Sequence, residues 1–376
     1  MSDITYDELR KIYQKTYAEK CKKYPDMEEK NVLKKVKRII AIGDLHGDYN
    51  ETIKILKKAG VVKTKKNDLQ GIKVTWTGGK TVVVQVGDQL DRCRDLPCTR
   101  MDEDGDENSD IKILELLTDL HSQAIKAGGA FYSLVGNHEL MNVDGRVQYV
   151  SPLNYKGFQS VSNNKKYLKG LPKGTVDMDA RKWAFQPGNP IAEFLACTRK
   201  LVLQIGSTLF VHAGVLPEIA EKYNDLGDIN RIMALYLWKK LDDKYIGAAQ
   251  DILGPDIIKG QTIINPNSLL CDGRDCFDIS PLWNRQIGNL EDSKEECERI
   301  FDILKRIYGV KRMVVGHTPK FGISYKCDKK LIYVDYAASS AFDIADPNIN
   351  MGGERSKSRL PQALEILNDE EVNIIK

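Results

Sequence analysis

The 376-residue sequence has little net charge, few histidines and no long apolar run. Its 56 basic and 53 acidic residues leave a formal charge of +3, which excludes the strongly basic surface of a general nucleic-acid or membrane-surface binder. No apolar stretch reaches the length of a membrane span, and the first residues lack the apolar core of a signal peptide. We therefore expect a cytoplasmic protein with neither a membrane nor a nucleic acid as partner.

The sequence also lacks the cysteine patterns of zinc sites and of disulfide scaffolds. It contains eight cysteines, but none forms a CxxC pair. Scattered cysteines of this kind are typical of reduced thiols in an intracellular protein. The eight residues are Cys21, Cys93, Cys98, Cys197, Cys271, Cys276, Cys297 and Cys327.

Apolar strand patterns alternate with helical patterns along most of the chain, which predicts an α/β fold. With no internal repeat and no low-complexity linker, we predict a helical extension over 1–37, interrupted near Pro25, and a single catalytic domain over 38–376. Residues 141–188 are predicted to be a long irregular region. Strands are predicted at 38–42, 82–86, 130–135, 200–205, 208–211, 312–315, 331–335, 363–367 and 371–375, helices at 49–58, 110–127, 190–198, 217–245 and 294–308, and a hairpin-like stretch at 61–80.

Four of the five histidines stand just after predicted strands, in turns of small residues. Asp44, Asp88 and Asn137 occupy equivalent places. In open α/β sheets, functional sites are built at the carboxyl ends of strands, so this repetition predicts a metal site. The four histidines are His46, His138, His212 and His317, whereas His121 falls in a predicted helix.

These side chains offer imidazole, carboxylate and amide ligands without an obvious thiolate. This set suits Mn, Fe, Zn or Ni rather than Ca or Cu(I). Two such ions bridged by a carboxylate can activate water and bind a phosphoryl group. Asp91 and Arg92 lie close to Asp88 after the strand at 82–86, where a cation and a phosphate would offset their charges.

The order of these motifs resembles the calcineurin-like metallophosphoesterases. Within that superfamily it is similar to the phosphoprotein phosphatase branch, especially to the bacterial-type, Shewanella-like enzymes. The resemblance spans about residues 38–340. It depends on Gly43-Asp44-Leu45-His46-Gly47, Gly87-Asp88-Gln89-Leu90-Asp91-Arg92, Gly136-Asn137-His138-Glu139, Val211-His212-Ala213-Gly214, Pro281-Leu282-Trp283-Asn284-Arg285 and Gly316-His317.

The resemblance implies a four-layer α/β/β/α architecture, in which a β-sandwich is flanked by helices and carries two metal ions at the strand ends. His138 would be the general acid and Asp91 its orienting partner. Arg92, Arg285 and Asn137 would bind the substrate phosphate. The first ion would be held by Asp44, His46 and Asp88, and the second by the bridging Asp88 with Asn137, His212 and His317.

The activity implied is that of a two-metal phosphomonoesterase, which hydrolyses phosphoproteins at Ser/Thr or Tyr by direct attack of a metal-bound hydroxide. The same centre could instead hydrolyse a dinucleoside polyphosphate or another small phosphoester, and an inactive binding module is a third reading. Cys93 stands where the family usually has glycine. Insertions are expected at 61–80, 97–110, 141–188 and 246–280, and the acidic run at 101–110 is read as exposed.

Overall fold

A six-stranded and a five-stranded sheet form the centre of the protein. The computed structural model describes residues 6–27, 29–67, 71–94, 98, 105–254, 257–258, 261–262, 279–342 and 360–376. Its strands are β1 Val32–Leu33, β2 Arg38–Ile42, β3 Val62–Asn67, β4 Gly71–Trp76, β5 Val82–Gln85, β6 Ala130–Ser133, β7 Val202–Ile205, β8 Thr208–Val211, β9 Ile257–Ile258, β10 Gln261–Thr262, β11 Arg312–Val315, β12 Ser324–Lys326, β13 Leu331–Tyr333, β14 Ala363–Leu367 and β15 Glu371–Ile375.

Helices cover the outer faces of these sheets and fill most of the connections. They are α1 Asp7–Lys20, α2 Tyr49–Lys58, α3 Asp110–Lys126, α4 Asn137–Val143, α5 Asp177–Phe185, α6 Pro190–Thr198, α7 Pro217–Lys222, α8 Leu226–Leu237, α9 Ile246–Leu253 and α10 Lys294–Tyr308. Short 3₁₀ helices span Pro152–Asn154, Phe158–Ser160, Ser162–Tyr167 and Asp243–Tyr245.

The strand order places the two sheets as the inner layers of a sandwich. The five-stranded sheet runs β15-β14-β2-β5-β6, and its inner strands β2, β5 and β6 are parallel. The six-stranded sheet runs β1-β7-β8-β11-β13-β12, with β8, β11 and β13 parallel. β3 and β4 form a separate antiparallel hairpin, as predicted for 61–80.

Alternation along β11 shows how the layers pack. Val314 belongs to a core cluster that also contains Ile40 and Val83 of the five-stranded sheet. Its neighbours Met313 and Val315 point to the other face and join a cluster formed largely by helices α6, α8 and α10. Because side chains alternate across a strand, this pattern places one sheet on the other and helices outside. The predicted four-layer α/β/β/α fold is confirmed.

Most predicted elements are present, including β2, α2, α3, α10 and the C-terminal pair β14 and β15. Three differences stand out. The region after Pro25 contains strand β1, paired in parallel with β7, instead of a second helix. The stretch predicted as irregular over 141–188 contains α5 and three 3₁₀ helices. The predicted helix over 217–245 is broken into α7, α8 and a 3₁₀ turn.

Helix α1 packs against the catalytic body. Its Leu9 and Tyr13 are buried in the same cluster as α8, and Arg10 donates to Asp228 of α8 through Nε and Nη2 at 3.0 and 2.7 Å. The division into an extension over 1–37 and a catalytic domain over 38–376 stays a prediction.

Six cysteines form disulfide bonds, so the prediction of reduced thiols is wrong for them. The pairs are Cys21–Cys197, Cys93–Cys98 and Cys297–Cys327. Two of these pairs are distant in sequence and are brought together only by the fold, which explains why spacing did not indicate them. Cys271 and Cys276, much of the predicted insertion at 246–280 and residues 101–104 of the acidic run lie outside the described residues.

Among the helices of the described residues, none has the length and apolarity needed to cross a bilayer.

We expect Cys197→Ser to lower the free energy of unfolding by about 2–4 kcal/mol, because the bond to Cys21 closes a long loop of the unfolded chain. Denaturant unfolding with and without reductant measures this loss. Cys327→Ser, which opens a bond between residues only 30 apart, is the matched control and should cost less. Recovery of Cys21 and Cys197 as alkylatable thiols in the untreated protein would contradict the assignment.

Candidate active site

The candidate ligands lie at the carboxyl ends of parallel strands in both sheets. Asp44 and His46 follow β2, Asp88 follows β5, and Asn137 begins α4 directly after β6. In the facing sheet, His212 and His317 follow the neighbouring strands β8 and β11. Parallel neighbours end at the same edge of a sheet, so the topology brings these residues together.

Asp88 lies at the centre of this cluster and is buried. Its Oδ2 is 3.8 Å from His46 Nε2, and its Oδ1 is 3.4 Å from His212 Nε2. Two groups of potential metal-binding atoms share this carboxylate, each with all atoms within 4.8 Å of one another. One comprises His46, Asp88 and His138, and the other comprises Asp88, His212 and His317.

Asn137 joins the second group through its side-chain oxygen. Asn137 Oδ1 is 2.8 Å from His212 Nε2 and 2.9 Å from His317 Nδ1. The other nitrogen of each ring lies beside a main-chain oxygen, His212 Nδ1 at 2.9 Å from Val86 and His317 Nε2 at 3.1 Å from Trp283. A carbonyl that accepts the ring proton fixes the tautomer and leaves the inward nitrogen free to coordinate, as is usual for metal-binding histidines.

Asp44 Oδ1 and Asp335 Oδ2 are the two carboxylate oxygens at this site among the buried side-chain atoms that make no hydrogen bond within the described part of the chain. Burial and the adjacent Asp335 and Asp88 raise the pKa of Asp44 well above its usual range. Burial raises the pKa of Asp335 to about 6. Crowded buried carboxylates of this kind are stabilised by a cation. Their unpaired oxygens, together with the ring nitrogens of the nearby histidines, fit a pair of divalent metal ions.

The glycine that precedes several ligands is required by close packing at the strand ends. A Cβ atom on Gly316 would lie 2.2 Å from Asp44 Oδ1, and one on Gly136 would lie 2.1 Å from Asp88 Oδ1. These distances are far below van der Waals contact. The Gly-His and Gly-Asn-His motifs therefore reflect carboxylates that occupy the space of a side chain.

His138 and Asp91 form the predicted pair. His138 Nδ1 lies 2.8 Å from Asp91 Oδ2, and its Nε2 faces Asp88 at 3.9 Å. Asp91 is fully buried, so its carboxylate would be destabilised without a hydrogen-bond donor, and His138 supplies one. Held this way, His138 presents Nε2 towards the cluster.

Arg92, which was predicted to bind phosphate, is instead bound to the protein. Its Nε donates to Gly105 O at 2.7 Å, its Nη1 to Gly47 O at 3.0 Å and its Nη2 to Ser340 Oγ at 2.8 Å. Its Nη1 is also 3.3 Å from Asp48 Oδ2. These contacts connect neighbouring loops to one another and engage all three nitrogens of the guanidinium with protein groups.

Arg94 reaches the cluster in place of Arg92. Its Nη2 contacts His46 Nδ1, and its guanidinium lies over the rings of Tyr149 and Phe342 at 5.4 and 4.9 Å. On the other side, Arg285 is exposed, and its Nη1 donates to His317 O at 3.1 Å. Sequence reasoning missed Arg94, although two arginines two residues apart after Asp91 were a visible signal.

Each ligand group has one arginine near it, and the positive charge of that arginine affects the pKa of a histidine in the group. Burial lowers the pKa of His46 well below its usual range, and the positive charge of Arg94 lowers it further. Burial and then Arg285 act on His317 in the same way. Both rings are therefore neutral, as metal coordination requires. His121 lies elsewhere, buried in α3 with Nδ1 2.7 Å from Phe131 O.

Comparison with known proteins identifies the family of this chain. The sequence model of the family described as calcineurin-like phosphoesterase matches residues 37–333. Shewanella-like protein phosphatase 2 of Arabidopsis thaliana is 29% identical over 367 residues, which cover 91% of this chain and 78% of that protein. An uncharacterized protein of Acanthamoeba polyphaga mimivirus is 33% identical over 279 residues, covering 68% of this chain and 96% of that protein.

Solved structures share the fold at lower sequence identity. The crystal structure of a cold-active protein-tyrosine phosphatase from a psychrophilic Shewanella species superposes with a TM-score of 0.58 at 18% identity. The match covers 93% of this chain and 84% of that one. At this identity, the likeness supports the architecture alone.

We expect Gly316→Ala to weaken metal binding at least ~10-fold, because its methyl group would displace the Asp44 carboxylate. Titration of metal-stripped protein with Mn²⁺ by calorimetry measures the affinity. Gly247→Ala in α9 is the matched control, since a Cβ atom there meets no atom within 4 Å. Equal affinities for the two variants would show that Asp44 does not hold the ion.

Proposed function

The chain belongs to the calcineurin-like phosphoesterase family and is a metal-dependent phosphoester hydrolase, and on that premise we propose that it is a two-metal phosphomonoesterase of phosphoproteins. The observation that carries the proposal is that the Asp88 carboxylate is shared between His46 Nε2, at 3.8 Å, and His212 Nε2, at 3.4 Å, with the His138–Asp91 pair directly beside it. Such a shared carboxylate is the arrangement expected for two ions that act on one phosphoryl group.

The metal ligands in this proposal are the six residues predicted from the sequence. Asp44, His46 and Asp88 would hold one ion, and Asp88, Asn137, His212 and His317 the other. Two bound ions would make a water molecule acidic enough to attack at neutral pH and would offset the charge of the phosphoryl oxygens. The donor set suits Mn, Fe, Zn or Ni.

His138 is proposed as the general acid. Because Asp91 accepts from Nδ1, a proton on Nε2 faces the cluster and can pass to the departing oxygen of the substrate. The Asp91 carboxylate stabilises the positively charged ring from which this proton leaves. No residue of the chain needs to be phosphorylated in this scheme.

We reassign the phosphate contact from Arg92 to Arg94, which would act with Arg285. Desolvation by the surrounding protein atoms lowers the pKa of both Arg94 and Arg285, although Arg285 keeps solvent-exposed surface. Asp88 and Asp335 act on each pKa in the opposite direction, so the same carboxylates influence both groups. Guanidinium groups on opposite sides of a phosphate stabilise the charge that develops during transfer. Asn137, also predicted to bind phosphate, is engaged with His212 and His317.

The contact between Arg94 and His46 depends on the protonation of the ring. If His46 Nε2 coordinates an ion, its Nδ1 carries the proton and faces Leu90 O at 3.3 Å. A protonated Nδ1 cannot accept a hydrogen bond, so the N–H groups of Arg94 would lose their acceptor on His46. The guanidinium is thereby released for an incoming phosphate.

A protein substrate is favoured over a dinucleotide by the aromatic side chains at the site. Tyr149 and Phe342 both face the Arg94 guanidinium, so they are not a free pair on which a base would stack. Two relatives are named as protein phosphatases, Shewanella-like protein phosphatase 2 of Arabidopsis thaliana and Shewanella-like protein phosphatase 1 of Plasmodium berghei, which supports the same class. We propose Ser/Thr phosphate as the main substrate, with Tyr phosphate as the alternative within that class.

The predicted cytoplasmic location stays a prediction. It was based on the lack of a signal-peptide core and of a membrane span in the sequence and on the expectation of reduced cysteines, and the three disulfide bonds do not support the last of these.

We expect metal-stripped protein to hydrolyse an aryl phosphate monoester only after Mn²⁺ is added. We expect His138→Asn to lower kcat by ~10²–10⁴-fold on a phosphoserine peptide, because the poor leaving group loses its proton donor. Steady-state kinetics with phosphate detection measures both effects, followed by matched phosphoserine, phosphothreonine and phosphotyrosine peptides and a dinucleoside polyphosphate. Metal affinity of His138→Asn is the control and should change little. Hydrolysis confined to the dinucleotide would refute the phosphoprotein substrate, and metal binding without any hydrolysis would indicate a binding module.

We expect Arg94→Lys to lower kcat/KM by ~10–100-fold, since lysine cannot replace a guanidinium that makes charge-assisted hydrogen bonds worth about 1.5–3 kcal/mol. Arg92→Lys is the matched control, and its main effect should be on thermal stability because Arg92 joins Gly105, Gly47 and Ser340. The reverse ranking of the two variants in kcat/KM would restore Arg92 as the phosphate ligand.

A further inference from the structure

Helix α5 places an arginine inside the protein, close to the catalytic pair. Arg181 is completely buried, together with Ala180, Ala184 and Phe185 on the same helix. Its guanidinium lies 4.9 Å over the Phe185 ring. A buried arginine is costly unless its donors are satisfied. The groups that it meets therefore indicate what it does.

Arg181 binds two side chains that lie between it and the site. Its Nε and Nη2 donate to Asn142 Oδ1 at 3.1 and 2.8 Å, and Nη2 also donates to Asp110 Oδ2 at 2.7 Å. Nη1 donates to Asn154 O at 3.2 Å. Asn142 lies in α4, one helical turn after His138, and is itself completely buried.

The chain of hydrogen bonds continues from Asn142 to the general acid. Asn142 Nδ2 donates to Asp91 Oδ1 at 2.8 Å and to His138 O at 3.0 Å. The second oxygen of Asp91, Oδ2, lies 2.8 Å from His138 Nδ1. Four buried side chains are thus connected in the order Arg181, Asn142, Asp91 and His138.

Arginine has only donors, and this fixes the direction of every later bond. Asn142 must turn its oxygen to Arg181 and its NH₂ group to Asp91. Asp91 then accepts at one oxygen from Asn142 and at the other from His138 Nδ1. The proton of the neutral ring is consequently held on Nδ1, and a second proton, when bound, can only be on Nε2, the nitrogen that faces the substrate.

The same arginine balances charge in this interior. Asp91 and Asp110 are both completely buried, and Arg181 Nη2 lies 3.9 Å from Asp91 Oδ1 and 2.7 Å from Asp110 Oδ2. Without Arg181, two buried carboxylates would face each other. One of them would then take up a proton, which removes an acceptor from the chain.

We propose that Arg181 is a positioning residue for proton donation, which acts through Asn142 and Asp91 to orient His138. This inference rests on the proposed function, because it assigns a residue to the general acid of that reaction. It gives the region 141–188 a role in positioning the general acid, because this region supplies Arg181 and Asn142 of the hydrogen-bond chain. A structural role alone would be to anchor α5 in the core.

Leaving groups distinguish these roles. A general acid matters most when the departing oxygen is a poor leaving group, such as the serine alkoxide, and least for a nitrophenolate. We expect Arg181→Met to lower kcat by ~10–100-fold on a phosphoserine peptide, the range found when the partner of a functional histidine is lost, and by less than about threefold on nitrophenyl phosphate.

Arg199→Met is the matched control. Arg199 is also buried, but it donates to Gln89 Oε1 and Leu114 O and lies outside the chain from Arg181 to His138. Its loss should lower stability without changing the ratio of the two kcat values. Arg181→Lys, which retains the charge and a donor, should recover part of the activity on the peptide and keeps the test decisive if Arg181→Met does not fold. Equal losses on both substrates in the folded Arg181 variant would overturn the proposal.

A second measurement does not depend on activity. In metal-free protein labelled with ¹⁵N at histidine, the nitrogen shifts of the His138 ring report its tautomer, with His138→Asn used for assignment. We expect a single Nδ1–H form in the wild type and a mixture in Arg181→Met. An unchanged tautomer in the variant would overturn the role of Arg181. Absence of hydrolysis by the wild-type protein would instead refute the proposed function.

Discussion

The carboxylate of Glu139 holds the active-site loops together. It accepts from four backbone N–H groups, those of Asp88 at 2.9 Å, Gln89 at 2.8 Å, Leu90 at 3.2 Å and Gly136 at 2.7 Å. The first three belong to the turn after β5 and the last to the start of α4. One buried side chain thus fixes Asp88 relative to His138. Truncation of this side chain, as in Glu139→Ala, would leave several buried donors unsatisfied, each costing about 1–3 kcal/mol.

Around this anchor, the backbone adopts conformations that side-chain-bearing residues rarely occupy. His46, Asp88, Asp91 and His317 all have positive φ angles, from 42° to 70°. Such strain persists only where surrounding contacts determine the geometry, and it is concentrated at functional sites. Here it directs four side chains from sharp turns towards one point. The glycine next to several ligands serves the same end, since the carboxylates occupy the space of a Cβ atom.

Much of the fold could be predicted from the sequence because its signals are local. Apolar strand patterns predicted β2 and β5, and helical patterns predicted α2 and α3. The histidines after strands predicted which residues would meet, since strand ends converge in such sheets. Strand β1 was missed because a strand of two residues is too short to show an alternation of apolar and polar side chains. It is formed by its pairing with β7. The disulfides depend on tertiary proximity, which spacing alone does not reveal. Arg92 and Arg94 could not be told apart, because the direction of each depends on distant partners such as Ser340 and Phe342.

The pairing of β2 with β14 has a consequence for how the protein is made. β2 carries Asp44 at its end, and on one side it is hydrogen-bonded to a strand near the other end of the chain, with Ala41 opposite Leu364. During synthesis, β2 leaves the ribosome long before β14. Until β14 follows, the backbone N–H and C=O groups on that side of β2 have no strand to pair with, and such an edge is prone to pairing with other chains. Such long-range pairing also slows folding. Because Asp44 follows β2, we expect its carboxylate to reach its final place only after β14 has been translated and has paired with β2.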